Sequence, residues 1–256
     1  MKLNELLERQ VAIINVGMST TRGIPGPLFE DGTFRYVPIR ERKPGNLTPR
    51  YRDLGLAEWV PDPDDFAHYD PEFETMTFGD YEYRPRVANA KKLQSGDFLF
   101  FFASLSTMED RRRRGTTGFF LIGYFEIDRI IPYNEAKNSP LTKNNAHIRR
   151  TRDSEFSIWK GTSRSAFLEF AVPIDRESTD LWLRTSKGKK LPWGSVDRSG
   201  RRRSDLEVIN SATRASRLIL PEHRWAFWTL VNAKNPGLPI FSDNSPSHIK
   251  QGNQGD

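Results

Sequence analysis

The 256-residue chain contains no cysteine. Disulfide bonds, cysteine nucleophiles and cysteine-based zinc sites are therefore excluded, because each of them requires a thiol. No apolar segment approaches the length of about 20 residues that a helix needs to cross a membrane, and the first residues lack the apolar stretch of a secretion signal. We therefore expect a cytoplasmic protein with no membrane partner.

Three common catalytic motifs are also missing. The sequence has no glycine-rich phosphate loop, no G-x-S-x-G and no H-E-x-x-H. P-loop ATP hydrolysis, serine hydrolase chemistry and zincin chemistry therefore have no support. Histidine is scarce as well, with 4 in the chain, and this draws attention to His68 and His147.

Basic residues, in contrast, outnumber acidic ones. The chain has 39 Lys and Arg against 33 Asp and Glu, giving a formal net charge of +6 and a pI near 9.5. This balance suits a polyanionic partner, although many enzymes of small molecules are equally basic. The chain is long enough to bury a sizeable core. We predict one globular domain over residues 1–241 and a polar, disordered tail over residues 242–256.

Two apolar runs are typical of buried strands. A Ser-Gly-Asp turn opens into the first, predicted at residues 97–103, and the second is predicted at residues 119–127. Further strands are predicted at residues 11–16 and 33–39, and residues 42–75 are interpreted as long loops with short helical turns. Together these elements predict an α+β fold built on a strongly bent β-sheet with a few short helices.

Two other segments have a less distinctive pattern. Residues 163–171 fit either a short helix or a strand that ends before Pro173. Trp225 and Trp228 lie in an apolar segment and are assigned to the core.

An arginine run lies between the two strongest strands and is predicted to form a loop. Guanidinium groups bind phosphate through paired hydrogen bonds, so this loop is a candidate for backbone contact with nucleic acid. The alternative is a solvated loop that keeps a phenylalanine-rich sheet soluble. The basic residues predicted to bind nucleic acid are Arg111, Arg112, Arg113, Arg114, Lys189, Lys190 and Arg202.

Two tryptophans occur in polar surroundings. Trp159 and Trp193 could each stack on an extruded base, because every base has a π-face. The alternative is that each indole packs in or over the core, as most tryptophans do.

His68 and Asp70 stand two residues apart in a segment expected to be extended, so their side chains face the same side. They could position a proton, or hold a metal ion together with Asp80. The alternative is a hydrogen-bonded loop in which Asp70 and Pro71 form a turn.

Asp31, Glu41 and Lys43 follow the order found in metal-dependent nucleases of the restriction type. In such enzymes two carboxylates hold a divalent cation and the lysine polarises the attacking water. Pro38 weighs against this alternative because it interrupts the strand that would have to be central. The alternative function is thus a metal-dependent nuclease or a nucleotide-metabolising enzyme that uses these three residues, with a divalent cation in the nuclease case. No other cofactor is indicated.

Four blocks of sequence follow one another between residues 11 and 175. They are Asn15–Gly17 with Phe29–Glu41, His68–Phe73 with Thr77–Asp80, Leu93–Leu105, and Gly161–Ser165 with Leu168–Pro173. In this order they resemble the nucleotide modification associated domain 3 family. The succession of a Gly-Asp turn, a strand, a loop and a glycine-containing strand is also similar to PUA-like modules, which read a flipped base in a small β-barrel.

The resemblance implies a protein linked to DNA that contains modified bases. It implies recognition or processing of a modified nucleotide, with either a bent sheet or a PUA-like barrel as the scaffold. We expect a loop-lined pocket near Trp159 or Trp193, and leave open whether the protein is a reader or an enzyme. The residues predicted to line this pocket are Asp31, Glu41, His68, Asp70 and Asp80.

Overall fold

The computed structural model describes residues 3–17, 24–109, 112–150 and 155–240. Arg111 and the predicted tail at residues 242–256 lie outside these ranges. None of the helices in the described part of the chain is long and apolar enough to cross a membrane.

The chain forms six α-helices and ten strands over the described ranges. The helices are α1 (Leu3–Glu8), α2 (Tyr133–Ala136), α3 (Ala146–Arg149), α4 (Arg176–Trp182), α5 (Asp205–Ala212) and α6 (Pro221–Lys234). The strands are β1 (Val11–Asn15), β2 (Gly26–Leu28), β3 (Ile39–Arg40), β4 (Ala67–His68), β5 (Thr77–Asp80), β6 (Phe98–Glu109), β7 (Arg112–Pro132), β8 (Ser157–Gly161), β9 (Ala166–Ile174) and β10 (Arg217–Leu218).

Eight of the strands build one mixed sheet in the order β10-β1-β6-β7-β8-β5, with β2 also paired to β6 and β9 to β7. β1 and β2 run parallel to β6, and the other pairs are antiparallel. The remaining strands, β3 and β4, form a separate two-stranded ribbon. The fold is therefore α+β. Among the described strands the sheet has two ends and no closed barrel is found.

The phenylalanine run of β6 is continuous because both faces of this strand are covered. On one face, Phe100 contacts Phe227 and Trp228 of α6, at ring-centroid distances of 4.9 and 5.4 Å. On the other face, Phe101 packs against Phe78 at 5.3 Å. A central strand buried on both sides has no place for the polar residues that usually alternate along an edge.

The two predicted central strands are longer than the sequence indicated. β6 and β7 stay paired out to Glu109 and Arg112, so the arginine run belongs to the tip of a long hairpin and not to a loop. Backbone pairing continues through charged residues because the tip is not required to enter the core. Register shifts between Phe101 and Phe102 and at Leu121 allow these strands to bend.

Three local predictions are wrong. Residues 33–39 form one isolated bridge, Leu28 with Phe34, and the strand itself is only Ile39–Arg40. Pro38 cannot donate a ladder hydrogen bond, which explains the interruption. The second error is the end of the segment at residues 163–171, because strand β9 continues through Pro173 to Ile174. Among the described strands β9 pairs only with β7, so the missing N–H of Pro173 is tolerated.

Trp225 is the third error, since it is 55% exposed whereas Trp228 is buried. Helix α6 buries Arg224, Phe227, Trp228 and Val231. These positions follow the spacing of one helical face, and Trp225 lies off that face.

Candidate functional site

The small β3–β4 ribbon places Glu41 beside His68. Ile39 pairs with His68. The amide of Glu41 donates to the carbonyl of Phe66 at 2.8 Å, and this hydrogen bond extends the ribbon by one residue. Across it, His68 Nδ1 lies 2.7 Å from Glu41 Oε2. Both side chains are buried, with only 10% and 1% of their surface exposed.

Asp70 follows two residues after His68 and is fixed from three directions. Its carboxylate accepts hydrogen bonds from the Gly79 amide at 3.1 Å and from Asn145 Nδ2 at 3.1 Å. Its carbonyl accepts a hydrogen bond of 2.7 Å from the Tyr36 hydroxyl. The position of the carboxylate is therefore set by β5, by the segment before α3 and by the residues before β3.

Helix α3 brings His147 to the same place. Asn145 begins the helix by accepting a hydrogen bond from the His147 amide at 3.0 Å. The ring of His147 then packs edge-on against that of His68, with centroids 5.1 Å apart. Gly79 provides the space for it, because a Cβ at this position would lie 2.6 Å from His147 Cδ2.

Three donor atoms converge in this cluster. Asp70 Oδ2 lies 3.9 Å from His68 Nε2 and 3.7 Å from His147 Nε2. One ligand atom from each of the three residues lies within 4.8 Å of the others, and all three residues are buried. Separations of this size are too long for direct hydrogen bonds. We call His68, Asp70 and His147 the His-Asp-His cluster.

Arg150 joins this cluster to Glu41. Its Nε donates to Glu41 Oε2 at 2.8 Å, and its Nη1 donates to the Tyr81 hydroxyl at 2.9 Å. The same Nη1 lies 3.5 Å from His147 Nδ1. Sequence analysis missed Arg150, because it is one of several arginines in a polar segment and no spacing relates it to Glu41.

Burial and charge set the protonation of the cluster. Burial raises the pKa of Asp70 well above its ordinary value, and the nearby charge of Asp80 adds to this effect. Burial lowers the pKa of His68 to about 4, with His147 and Arg150 acting in the same direction. Burial alone would raise the pKa of Glu41, but hydrogen bonds from His68 and Arg150 outweigh it and hold this pKa well below its usual range.

These protonation states define the tautomer of His68. An ionised Glu41 can only accept, so the single proton of a neutral His68 ring lies on Nδ1. The lone pair on Nε2 then points toward Asp70. The arrangement can hold a proton or a cation between the two side chains.

Asp80 is buried at the end of β5 but its carboxylate makes a different contact. Oδ2 lies 3.1 Å from Arg86 Nε, and Oδ1 accepts a hydrogen bond from the Tyr81 amide at 2.8 Å. It therefore affects Asp70 through its charge, whereas the third position expected for Asp80 is taken by His147.

The structure does not assemble the nuclease alternative. Asp31 is exposed in a turn and accepts hydrogen bonds from the amide and hydroxyl of Thr33, at 2.9 and 2.7 Å. Glu41 is buried and accepts the amide of Lys43 at 2.8 Å, while Lys43 is itself exposed. Asp31 is thus exposed, whereas Glu41 is buried and engaged by His68 and Arg150, so the two carboxylates lie in different environments.

Trp159 has no free ring face. It is fully buried in β8, and its Nε1 donates to the carbonyl of Ala90 at 3.0 Å. The interpretation of Trp159 as a stacking residue is therefore corrected: it is a core residue. Trp193 is half-buried; its Nε1 donates to Asp180 at 2.8 Å and the Arg176 guanidinium lies 5.8 Å from its ring.

The predicted basic residues are at the surface wherever their side chains are described. Lys189, Lys190 and Arg202 are exposed in the segment between α4 and α5. Arg112, Arg113 and Arg114 lie on β7 at the hairpin tip, where Arg112 pairs with Glu109 and Arg113 with Met108.

A separate cavity of about 530 Å³ opens next to the ribbon. Its aromatic walls are Tyr36, Tyr69, Phe73 and Phe167, and we call it the aromatic pocket. Three charged residues also line it: Arg35, Asp53 and Glu74. Sequence analysis did not identify this site.

The aromatic pocket and the His-Asp-His cluster lie on opposite sides of one segment. Tyr69 points into the pocket, whereas His68 and Asp70 point into the cluster. This follows from the alternation of side chains in an extended chain. Glu41, His68 and Asp70, which were expected to line a pocket, are buried and do not line the aromatic pocket.

Comparison with known proteins supports the resemblance seen in the sequence. The model of nucleotide modification associated domain 3 matches residues 10–214, which include the aromatic pocket, the cluster and the hairpin. The chain belongs to this family. No curated protein and no solved structure matches it. The family's name links the domain to nucleotide modification, and all the residues of both sites fall within the matched region.

Proposed function

We propose that this protein binds DNA and holds a modified nucleotide in the aromatic pocket. The observation that carries the proposal is the pocket itself. Its volume of about 530 Å³ falls within the range of roughly 300–1,000 Å³ common for small-molecule sites. Aromatic walls provide stacking surfaces, and charged residues at the edge provide hydrogen bonds.

The aromatic side chains are fixed in place before any ligand binds. The Tyr69 hydroxyl donates to Glu74 at 2.9 Å, and the Tyr36 hydroxyl donates to the carbonyl of Asp70 at 2.7 Å. Phe167 packs against Phe73 with ring centroids 5.0 Å apart, yet it remains 41% exposed. A partly exposed aromatic held rigidly is suited to stacking on a base, worth about 1–3 kcal/mol.

The polar edge of the pocket suits base recognition. The carboxylates of Asp53 and Glu74 can accept from an exocyclic amino group, and the Arg35 guanidinium can donate to a carbonyl or ring nitrogen. Flipping a base into such a pocket is the mode used by PUA-like modules. We propose the same mode of base binding here, on an open sheet in place of the closed barrel of those modules.

The hairpin tip supplies the proposed contact with the DNA backbone. Phe167 of the pocket lies opposite Gly123 on β7, nine residues from Arg114. This spacing corresponds to at most about 30 Å along a strand. A duplex contacted by the arginine tip can therefore reach the pocket within about one helical turn.

Processing of a nucleotide is the second candidate function. The His-Asp-His cluster is carried by the residues on either side of Tyr69 and by α3, on the side of the segment away from the aromatic pocket, and perturbed titratable groups of this kind are typical of active sites. A pure reader would need the aromatic pocket alone, whereas an enzyme would keep DNA binding and lose turnover in Asp70→Asn.

The proposal is tested by fluorescence anisotropy with duplexes carrying one N6-methyladenine, one 5-hydroxymethylcytosine or no modification. We expect tighter binding to one modified duplex, and a loss of that preference in Tyr69→Ala. Tyr83→Ala is the matched control, because Tyr83 is 72% exposed and does not line the pocket. Equal affinity for all three duplexes, or an unchanged preference in Tyr69→Ala, would contradict the proposal.

A further inference from the structure

We propose that His68, Asp70 and His147 form a binding site for one divalent first-row transition metal ion. The inference goes beyond nucleotide binding and does not depend on it. The site is the His-Asp-His cluster. His68 lies in β4, Asp70 follows two residues later, and His147 lies in α3.

The spacing of the donor atoms is the first argument. Asp70 Oδ2 stands 3.9 Å from His68 Nε2 and 3.7 Å from His147 Nε2. Ligands bound at about 2.0–2.2 Å around one tetrahedral ion are separated by about 3.4 Å. These two separations exceed hydrogen-bond length and are within about 0.5 Å of that spacing, and all three donor atoms lie within 4.8 Å of one another.

The orientation of His68 is the second argument. Metal-binding histidines usually donate their other ring N–H to a carboxylate or carbonyl, which fixes the tautomer. Glu41 fills this role, with Oε2 placed 2.7 Å from His68 Nδ1. Glu41 is in turn held by Arg150 Nε at 2.8 Å, so the second sphere of the site is itself ordered.

The support of Asp70 is the third argument. The Gly79 amide and Asn145 Nδ2 each donate a hydrogen bond of 3.1 Å to its carboxylate. Gly79 also makes room for His147, since its missing Cβ would clash with that ring. One glycine therefore orients the carboxylate and admits the second imidazole.

The ligand set defines the class of metal. Two imidazoles and one carboxylate favour zinc, iron(II), cobalt(II) or a similar ion over magnesium and calcium, which prefer oxygen ligands. Three protein ligands also leave at least one coordination position open. The 3.5 Å contact between Arg150 Nη1 and His147 Nδ1 would weaken on binding, because the ring proton then lies on Nδ1.

The test is titration of the metal-stripped full chain with Co²⁺, followed by the visible ligand-field absorption and by the bound metal per chain. We expect one Co²⁺ per chain, displaced by one equivalent of Zn²⁺ and unaffected by millimolar Mg²⁺. Asp70→Asn and His147→Ala should weaken binding more than about 100-fold, and Glu41→Gln by about 10–100-fold. X-ray absorption should show two imidazoles on the metal.

The control variant carries His223→Ala and His248→Ala, which remove the two remaining histidines of the chain. Binding should be unchanged in this variant. Melting curves without metal check that each cluster variant is folded, and Glu41→Gln provides the test if Asp70→Asn is unfolded. Failure of the wild-type chain to bind Co²⁺, displacement by Mg²⁺, or wild-type affinity in folded Asp70→Asn or Glu41→Gln would overturn the proposal.

Discussion

His68 Nδ1 and Glu41 Oε2 lie 2.7 Å apart inside the protein, where His68 belongs to β4 and Glu41 directly follows β3 of the short ribbon that is separate from the main sheet. Their contact ties together the two sides of a ribbon whose strands contain four residues in all. The ribbon positions a buried carboxylate, which fixes a neutral imidazole on one side and a guanidinium on the other.

Arg150→Met is expected to destabilise the protein by about 3–5 kcal/mol, because it leaves the Glu41 carboxylate buried without its cationic partner. The free energy of unfolding is measured by urea titration. Arg129→Met is the matched control, since Arg129 and Glu135 form an ion pair of 3.0 Å in which both side chains are about half exposed. Its cost should stay below about 1 kcal/mol. Equal costs for the two variants would show that burial of the pair does not matter.

Gly79→Ala is expected to displace His147 and cost about 1–3 kcal/mol of stability. The added methyl group would lie 2.6 Å from His147 Cδ2 and 2.8 Å from Asn145 Oδ1. The variant should also lose Co²⁺ binding, measured by the same titration as above. Gly237→Ala is the control, because nothing lies within 4 Å of its added Cβ. Wild-type stability in Gly79→Ala would mean that the helix carrying His147 can move away without cost.

Residue pattern predicted the centre of the fold but not the assembly of the site. The strands around Phe100 and Leu121 follow from apolar runs that a buried strand requires. His68 and Asp70 face the same side because side chains alternate along an extended segment. Both predictions use information local to a few residues.

The partners of His68 were beyond this kind of reasoning. Glu41 lies 27 positions before it and was singled out for its order with Asp31 and Lys43, not as a partner of His68. Arg150 lies 82 positions after it and was one of many charged residues with no distinguishing spacing. The aromatic pocket was missed for a similar reason. Phe167 reaches Tyr69 only because β9 pairs with the middle of β7, and the register of two strands is a property of the folded sheet.

Phe100→Ala and Phe167→Ala should separate packing from binding. Phe100 is fully buried between β7 and α6, so its loss should cost about 3–5 kcal/mol of stability. Phe167 is 41% exposed in the pocket, so its loss should cost clearly less stability than that of Phe100 while weakening binding of the preferred duplex roughly tenfold. Urea unfolding and fluorescence anisotropy measure the two effects. A Phe167→Ala variant that binds as tightly as wild type would remove this residue from the pocket's function.

Replacing Arg112, Arg113 and Arg114 together by Ala should weaken DNA binding for all duplexes alike and leave the preference for a modified base intact. Each neutralised phosphate contributes about 0.9 to the slope of log affinity against log salt, so the slope should become shallower for every phosphate that these arginines neutralise. The control variant also loses three positive charges, but away from the hairpin tip: Arg129 near the end of β7, and Lys137 and Lys143 after it, are changed to Ala. An unchanged salt slope in the hairpin variant would place the DNA backbone elsewhere. A lost base preference with an unchanged slope would instead show that the hairpin shapes the pocket, because only a pocket contact can distinguish one base from another.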